Sequence, residues 1–172
     1  MAQRFMTLAS GLRKLVEALV TSAGAADAGK IIATNADGKL DTSLLPAGIG
    51  ANVQIVDASE AIGAGKFVNL WNDGGTLKAR LADNSNARQA HGFVKAAVAS
   101  GNQAEVYPLD VSNTNLAALT VGSRYYLGTA GGVVDTPLDP TDVANANKVH
   151  QYLGIALSAT ELITDDDSYV VL

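Results

Sequence analysis

The sequence predicts a mainly β protein, an antiparallel β-barrel or sandwich preceded by an N-terminal helix and an extended arm. Three observations predict it. From Asn52 onward, apolar runs of strand length alternate with Gly, Asn and Asp turns that recur every 8 to 12 residues. Before Ser22 the apolar residues instead recur at spacings of three and four, the helical period. Between them the stretch AGKIIATNADGKLDTSLLPAGIG, Ala28 to Gly50, follows neither pattern. The expected domains are therefore a helix over 1–24, a docking arm over 25–51 and a β domain over 52–172.

In the first segment Phe5, Leu8, Leu12, Leu15 and Leu19 form a heptad-like seam, widened by Val16 and Val20. Arg13, Lys14, Glu17 and Thr21 fall on the other side, and Ser22 to Gly24 ends the pattern. An isolated helix of this length is marginal in water. It must lie on its own domain, self-associate as a short coil or sit in a partner's groove. The small-residue run TSAGAADA resembles a signal-peptide cleavage site. Arg13, Lys14 and Glu17 interrupt the apolar run such a peptide needs, so the segment reads as mature structure.

In the second segment a short apolar strand at Ile31 to Ala33 meets an Asn35-Ala36-Asp37-Gly38 turn and then Leu44-Leu45-Pro46, through which no helix continues. Read as a calcium loop, with Asn35 and Asp37 at loop positions 3 and 5, Ala33 and Leu44 would fall where acidic ligands are required. The motif fails, and Asp37 and Gly38 read as turn residues. Ile31, Ile32, Leu40, Leu44, Leu45 and Ile49 are too apolar for an idle linker. They predict a partner-binding arm, with Ile31 to Thr34 pairing as a strand, Leu44 and Leu45 filling a pocket and Pro46 limiting the entropy lost on docking.

The third segment reads as about ten strands, with no strand followed by a helix-length repeat, which excludes a βαβ fold. Val68, Leu70, Phe93, Val98, Leu127, Tyr152, Ile155 and Val170 are the expected core. A faint internal repeat lays GKFVNLWNDGGTLKARLA from Gly65 over GSRYYLGTAGGVVDTPLD from Gly122. A two-residue insertion then brings His91 onto His150. Each half reads as strand, Gly-Gly hairpin, strand, loop and long strand, and two such halves suit a closed or nearly closed barrel.

The residues that could carry chemistry form no catalytic pattern. Two histidines alone make a poor zinc site, and the chain has no Cys to complete one or to form disulfides. Asp165-Asp166-Asp167 reads as a solvated loop. No nucleophile elbow, phosphate loop or dinucleotide fingerprint occurs. Trp71 and Tyr125-Tyr126 could line a carbohydrate site, but without a flanking carboxylate pair they read as core or interface packing. No enzyme and no cofactor is expected.

Composition narrows the partners. Charged residues make up 17% of the 172 residues, below the usual quarter, consistent with a surface partly covered by something else. From Ala51 onward 7 basic side chains face 13 acidic ones, a net charge of −6 that does not attract phosphates, so nucleic acid is excluded as a partner. No apolar run reaches the roughly 18 residues a membrane span needs.

The phrases GKIIATNADGKLDTSLLPAGIG, AIGAGKFVNLWNDGGTLKARLADNSNARQAHGFVKAAVASG, LTVGSRYYLGTAGGVVDTP and QYLGIALSATELI resemble virion structural proteins of tailed bacteriophages, nearest to capsid decoration (cement) or head-fibre proteins. The resemblance runs from about Ala28 to the end. It implies an arm attached to the major capsid protein, a β domain outside the shell, a homo-oligomer of trimer type, and a place on the capsid surface after synthesis in the host cytoplasm. It further implies that the protein stabilises the head by bridging capsid subunits, and it supplies no catalytic residues. Some of the same phrases resemble tail-fibre and baseplate modules, which gives the alternative of a component contacting the host surface.

Overall fold

The computed structural model describes residues 4–45 and 52–172. The chain divides into two compact units, Met1–Gly50 and Ala51–Leu172.

The first unit opens with a β-hairpin where a helix is expected. Strands β1 (Arg4–Ala9) and β2 (Leu12–Glu17) pair antiparallel from Arg4↔Glu17 to Ala9↔Leu12. The turn explains the correction. Ser10 (φ 53°) and Gly11 (φ 78°) both lie in the left-handed region, the requirement of the tight hairpin turn whose twist matches two paired strands. A glycine at the middle of a helix would cost about 1 kcal/mol, whereas this turn uses its freedom. Phe5, Leu8, Leu12 and Leu15 therefore lie on strands, not along one helical seam, and no α-helix occurs among the described residues.

The second unit contains a barrel and a sheet. Strands β3 (Gln54–Ala58), β4 (Phe67–Asp73), β5 (Thr76–Leu81), β6 (Gly92–Val94) and β7 (Gln103–Tyr107) close into a barrel of order β3-β5-β4-β6-β7. Its pairings are antiparallel except β3 with β5, which run parallel at Asp57↔Lys78 and Ala58↔Ala79. The expected all-antiparallel fold is corrected to a mixed one. The interior is filled by Ala58, Ile62, Val68, Ala79, Val94, Ala104 and Val106. Five strands enclose little space, which is why alanines occupy three of these places. Asp73 and Thr76 pair across Gly74-Gly75, both at positive φ, and Asn72 Oδ1 accepts the Gly75 amide at 2.7 Å, as the Gly-Gly hairpin predicts.

Strands β8 (Arg124–Leu127), β9 (Val133–Val134), β10 (Val149–Ala156) and β11 (Leu162–Thr164) form a sheet of order β11-β10-β8-β9, and β12 (Tyr169–Val171) pairs with β10. It shares one core with the barrel, in which Phe67, Phe93 and Leu109 pack with Leu127, Val149, Leu153 and Leu162. Full burial of side chains this size is worth about 1.5–3 kcal/mol each. Buried amides add fixed polar ties. Gln151 exchanges two hydrogen bonds with the Ala90 backbone (2.7 and 2.9 Å), and Asn84 Nδ2 donates to the Leu127 carbonyl at 2.9 Å.

Of the expected core, Val68, Phe93 and Leu127 are buried, and Leu70 and Val98 pack against the barrel interior. Tyr152 is half-buried, while Ile155 and Val170 face outward. A bulge between Tyr152 and Gly154 shifts the parity of β10, so that Ala156 rather than Ile155 points inward. Gly154 takes φ 145° there, and a Cβ on it would sit 1.9 Å from the Ile163 carbonyl oxygen.

The repeat is visible as a structural unit used twice. Each half is a hairpin, a short 3₁₀ turn capped by an aspartate (Asp83, Asp142), a strand pairing back onto the hairpin, and one strand more. Gly65 and Gly122 donate to Val94 and Ala156 at 2.8 Å in corresponding fashion. By that register Gly92 corresponds to Gly154, which places His91 away from His150, so the two histidines do not match. The halves also do not share one barrel: the first closes it together with β3, and the second is an open sheet.

Candidate attachment site

The first unit is held by polar side chains bonded to nearby backbone. Asp27 accepts from the Ala23 amide at 2.6 Å and from Lys30, fixing a 3₁₀ turn at Ala25–Asp27. The Lys30 hydrogen bond, then the Ala23 amide, lowers the Asp27 pKa below the ordinary carboxylate value. Asn35 Oδ1 accepts the Asp37 and Lys39 amides at 3.0 Å, closing the loop in which Gly38 takes φ 71°. Asp41 accepts from the Ser43 hydroxyl (2.6 Å) and amide (3.0 Å), and these bonds lower its pKa likewise. The Ser43 hydroxyl in turn accepts the Ser22 amide at 2.9 Å.

The arm is thus a chain of turns rather than a fully extended segment. The expected strand at Ile31 to Thr34 is reduced to one parallel bridge, Leu19↔Ile32, with Leu19 donating to Ile31 at 2.8 Å and Ala33 donating to Leu19 at 2.9 Å. Asp, Asn and Ser side chains compete here with strand hydrogen bonding. Leu19, expected on the helix seam, instead joins the arm.

The structure brings Leu19, Ile32, Leu44 and Leu45 together along one groove of 350 Å³. Ile31 and Leu40 are exposed elsewhere in the unit; Pro46 and Ile49 lie outside the described residues. On the hairpin the register puts Met6, Leu8 and Leu15 on one face and Phe5, Leu12 and Val16 on the other. Met6, Leu8, Leu12 and Leu15 are each 58–74% exposed. Ala33 is the one buried hydrophobic residue among those described in this unit. Sequence reasoning missed Met6, whose register opposite Leu15 is legible once Ser10-Gly11 is read as a hairpin turn.

In the second unit His91 is committed to structure: its Nδ1 accepts the Leu70 amide at 2.9 Å, and burial lowers its pKa. His150 stacks on Tyr126 at 5.1 Å. Tyr125 is core, its hydroxyl accepting the Thr120 amide at 2.8 Å. Trp71 carries the Arg80 guanidinium 4.6 Å above its ring. Among the described residues no group of three or more His, Cys, Asp or Glu is placed to hold a metal, and no helix is long and apolar enough to cross a membrane.

No protein-family model matches the chain, and no curated protein does. Among solved structures, it is similar to the crystal structure of the N base of head fibre gp8.5 from bacteriophage phi29, at a TM-score of 0.49 and 17% identity over 67% of this chain and 95% of that one.

Proposed function

We propose that this chain is a structural protein of a phage head, a capsid decoration protein whose first unit attaches it to the major capsid protein and to other copies of itself. The observation that carries the reading is the inverted distribution of apolar side chains in residues 4–45. Met6, Leu8, Leu12, Leu15, Ile31, Ile32 and Leu40 are each at least half exposed, while Ala33 is buried. A two-stranded hairpin is at best marginally stable alone, and its two outer edges offer unpaired backbone groups for strand addition. Such a segment gains stability by being covered.

On this reading the groove of Leu19, Ile32, Leu44 and Leu45 receives an apolar element of the capsid subunit. The hairpin joins copies into a trimer, and the trimer bridges neighbouring subunits. Each arm then contributes a modest contact that linkage multiplies. The acidic second unit stands outward. The resemblance of its sequence phrases to decoration and head-fibre proteins supports the same reading. Quantified protein bands and images of particles carrying the chain test it. Copies in the hundreds distributed over the shell are expected, whereas a few copies confined to the tail would overturn it.

A further inference from the structure

The outer face of the second sheet carries a cleft that attachment does not use. Register sets Tyr126 of β8 opposite Tyr152 of β10, and their rings meet edge to face with centroids 5.8 Å apart. His150, two residues before Tyr152, stacks on Tyr126, and its Nδ1 is buried without a hydrogen-bond partner. A buried polar atom left unpaired is costly, and this one belongs to the ring that backs the aromatic wall. Arg124, Asp165 and Asp167 complete the lining of a 360 Å³ cleft. The Asp165 amide donates to the Leu153 carbonyl at 3.0 Å, tying the acidic loop to the sheet.

We propose that this cleft binds a neutral saccharide. Among the described residues the Arg124 guanidinium, the Asp165 carboxylate and the Tyr126 and Tyr152 hydroxyls make no ion pair or side-chain hydrogen bond with one another or with other groups. Donors and acceptors thus converge unspent, as they do in ligand pockets of this size. A cationic ligand would meet Arg124, and an anionic one would meet two carboxylates. A neutral polyol satisfies both signs, giving its hydroxyl protons to Asp165 and Asp167 and accepting from Arg124 and the phenols. These bonds are charge-assisted at the three ionised groups. Burial raises the Tyr152 pKa, so that phenol keeps its proton as a donor. The apolar C–H face of a pyranose matches the exposed part of a tyrosine ring, whose other edge is polar.

Saturation-transfer NMR on the full chain tests this, with glucose, galactose, mannose and N-acetylglucosamine as probes and choline and sulfate as charged controls. Transfer to at least one sugar and to neither control is expected. Arg124→Ala and Asp167→Asn, both at exposed positions, should each weaken binding about tenfold, the loss of one charge-assisted hydrogen bond. Tyr152→Ala should abolish it; the two exposed variants decide the matter if that protein does not fold. No transfer to any sugar, preferential binding of choline or sulfate, or affinity unchanged in Arg124→Ala and Asp167→Asn would overturn the proposal.

Discussion

At Gln151 a carboxamide, 3% exposed, takes both the amide and the carbonyl of Ala90 and so ties the second sheet to the loop entering β6. Gln151→Leu fills the space but strands two buried backbone groups, each costing about 1–3 kcal/mol. We expect a loss of about 2–4 kcal/mol in urea unfolding, with the fold retained. His91 gives a pH dependence. Its Nδ1 accepts a backbone amide, and partial desolvation of the ring holds its folded pKa below 6.5, against an opposing effect of Asp166. The unfolded chain then binds the proton more readily. Stability is full above pH 6.5 and falls as pH drops from 6.5 toward the folded value, the sign set by greater proton uptake on unfolding. The lowered carboxylates, such as Asp83 and Asp139, act below their ordinary value of 3.8, where acid removes the stability they contribute. Melting temperature measured from pH 7.5 to pH 5 should therefore decline, and His91→Gln should flatten that decline. Neither residue was legible as structural glue in the sequence. A glutamine in an alternating strand gives no sign that it faces inward, and its partner lies 61 positions away.

The elements of the second unit were legible where turn chemistry and strand period agreed. Gly74-Gly75 marked its hairpin, and Val68, Phe93 and Leu127 lay on buried faces as expected. Ile155 was misplaced because one bulge residue reverses every side chain beyond it, and single-sequence alternation carries no mark of a bulge. The parallel β3–β5 pair was equally hidden, since it depends on barrel closure. The first segment was misread for a different reason. An apolar pattern present on both faces of a hairpin can imitate a helical stripe, and Ser10-Gly11 was the signal that distinguished them. Gly11→Val tests the element directly, because a β-branched residue at φ 78° is strained by about 1–2 kcal/mol or more. That exceeds what an isolated hairpin can spare. Hydrogen exchange should show protection lost across residues 4–17 of the free protein, with protection in β3 to β12 unchanged.

For the whole molecule, the two units differ in how much of their apolar surface they bury. Residues 52–172 bury a shared core of barrel and sheet, whereas in residues 4–45 Leu8, Leu12, Leu15, Ile31, Ile32 and Leu40 are each at least half exposed. The composition already pointed to a covered surface, and the apolar residues of the arm were visible in sequence. Their grouping into a groove with Leu19 was not, because it depends on the Leu19↔Ile32 bridge and the Ser22–Ser43 hydrogen bond. If the first unit exists to be covered, stability and attachment must separate under mutation. The direct measurement is occupancy on particles for wild type, for Leu44→Ser with Leu45→Ser, and for Leu12→Ser with Leu15→Ser. Each is read beside the thermal unfolding of the free protein. Removing two leucines from a covered contact forfeits roughly 1.5–3 kcal/mol per side chain, enough to strip a weakly held subunit. We predict occupancy falling at least tenfold for both double variants while the main unfolding transition stays within about one or two degrees, the scale of a surface change. Wild-type occupancy in both variants would contradict the account.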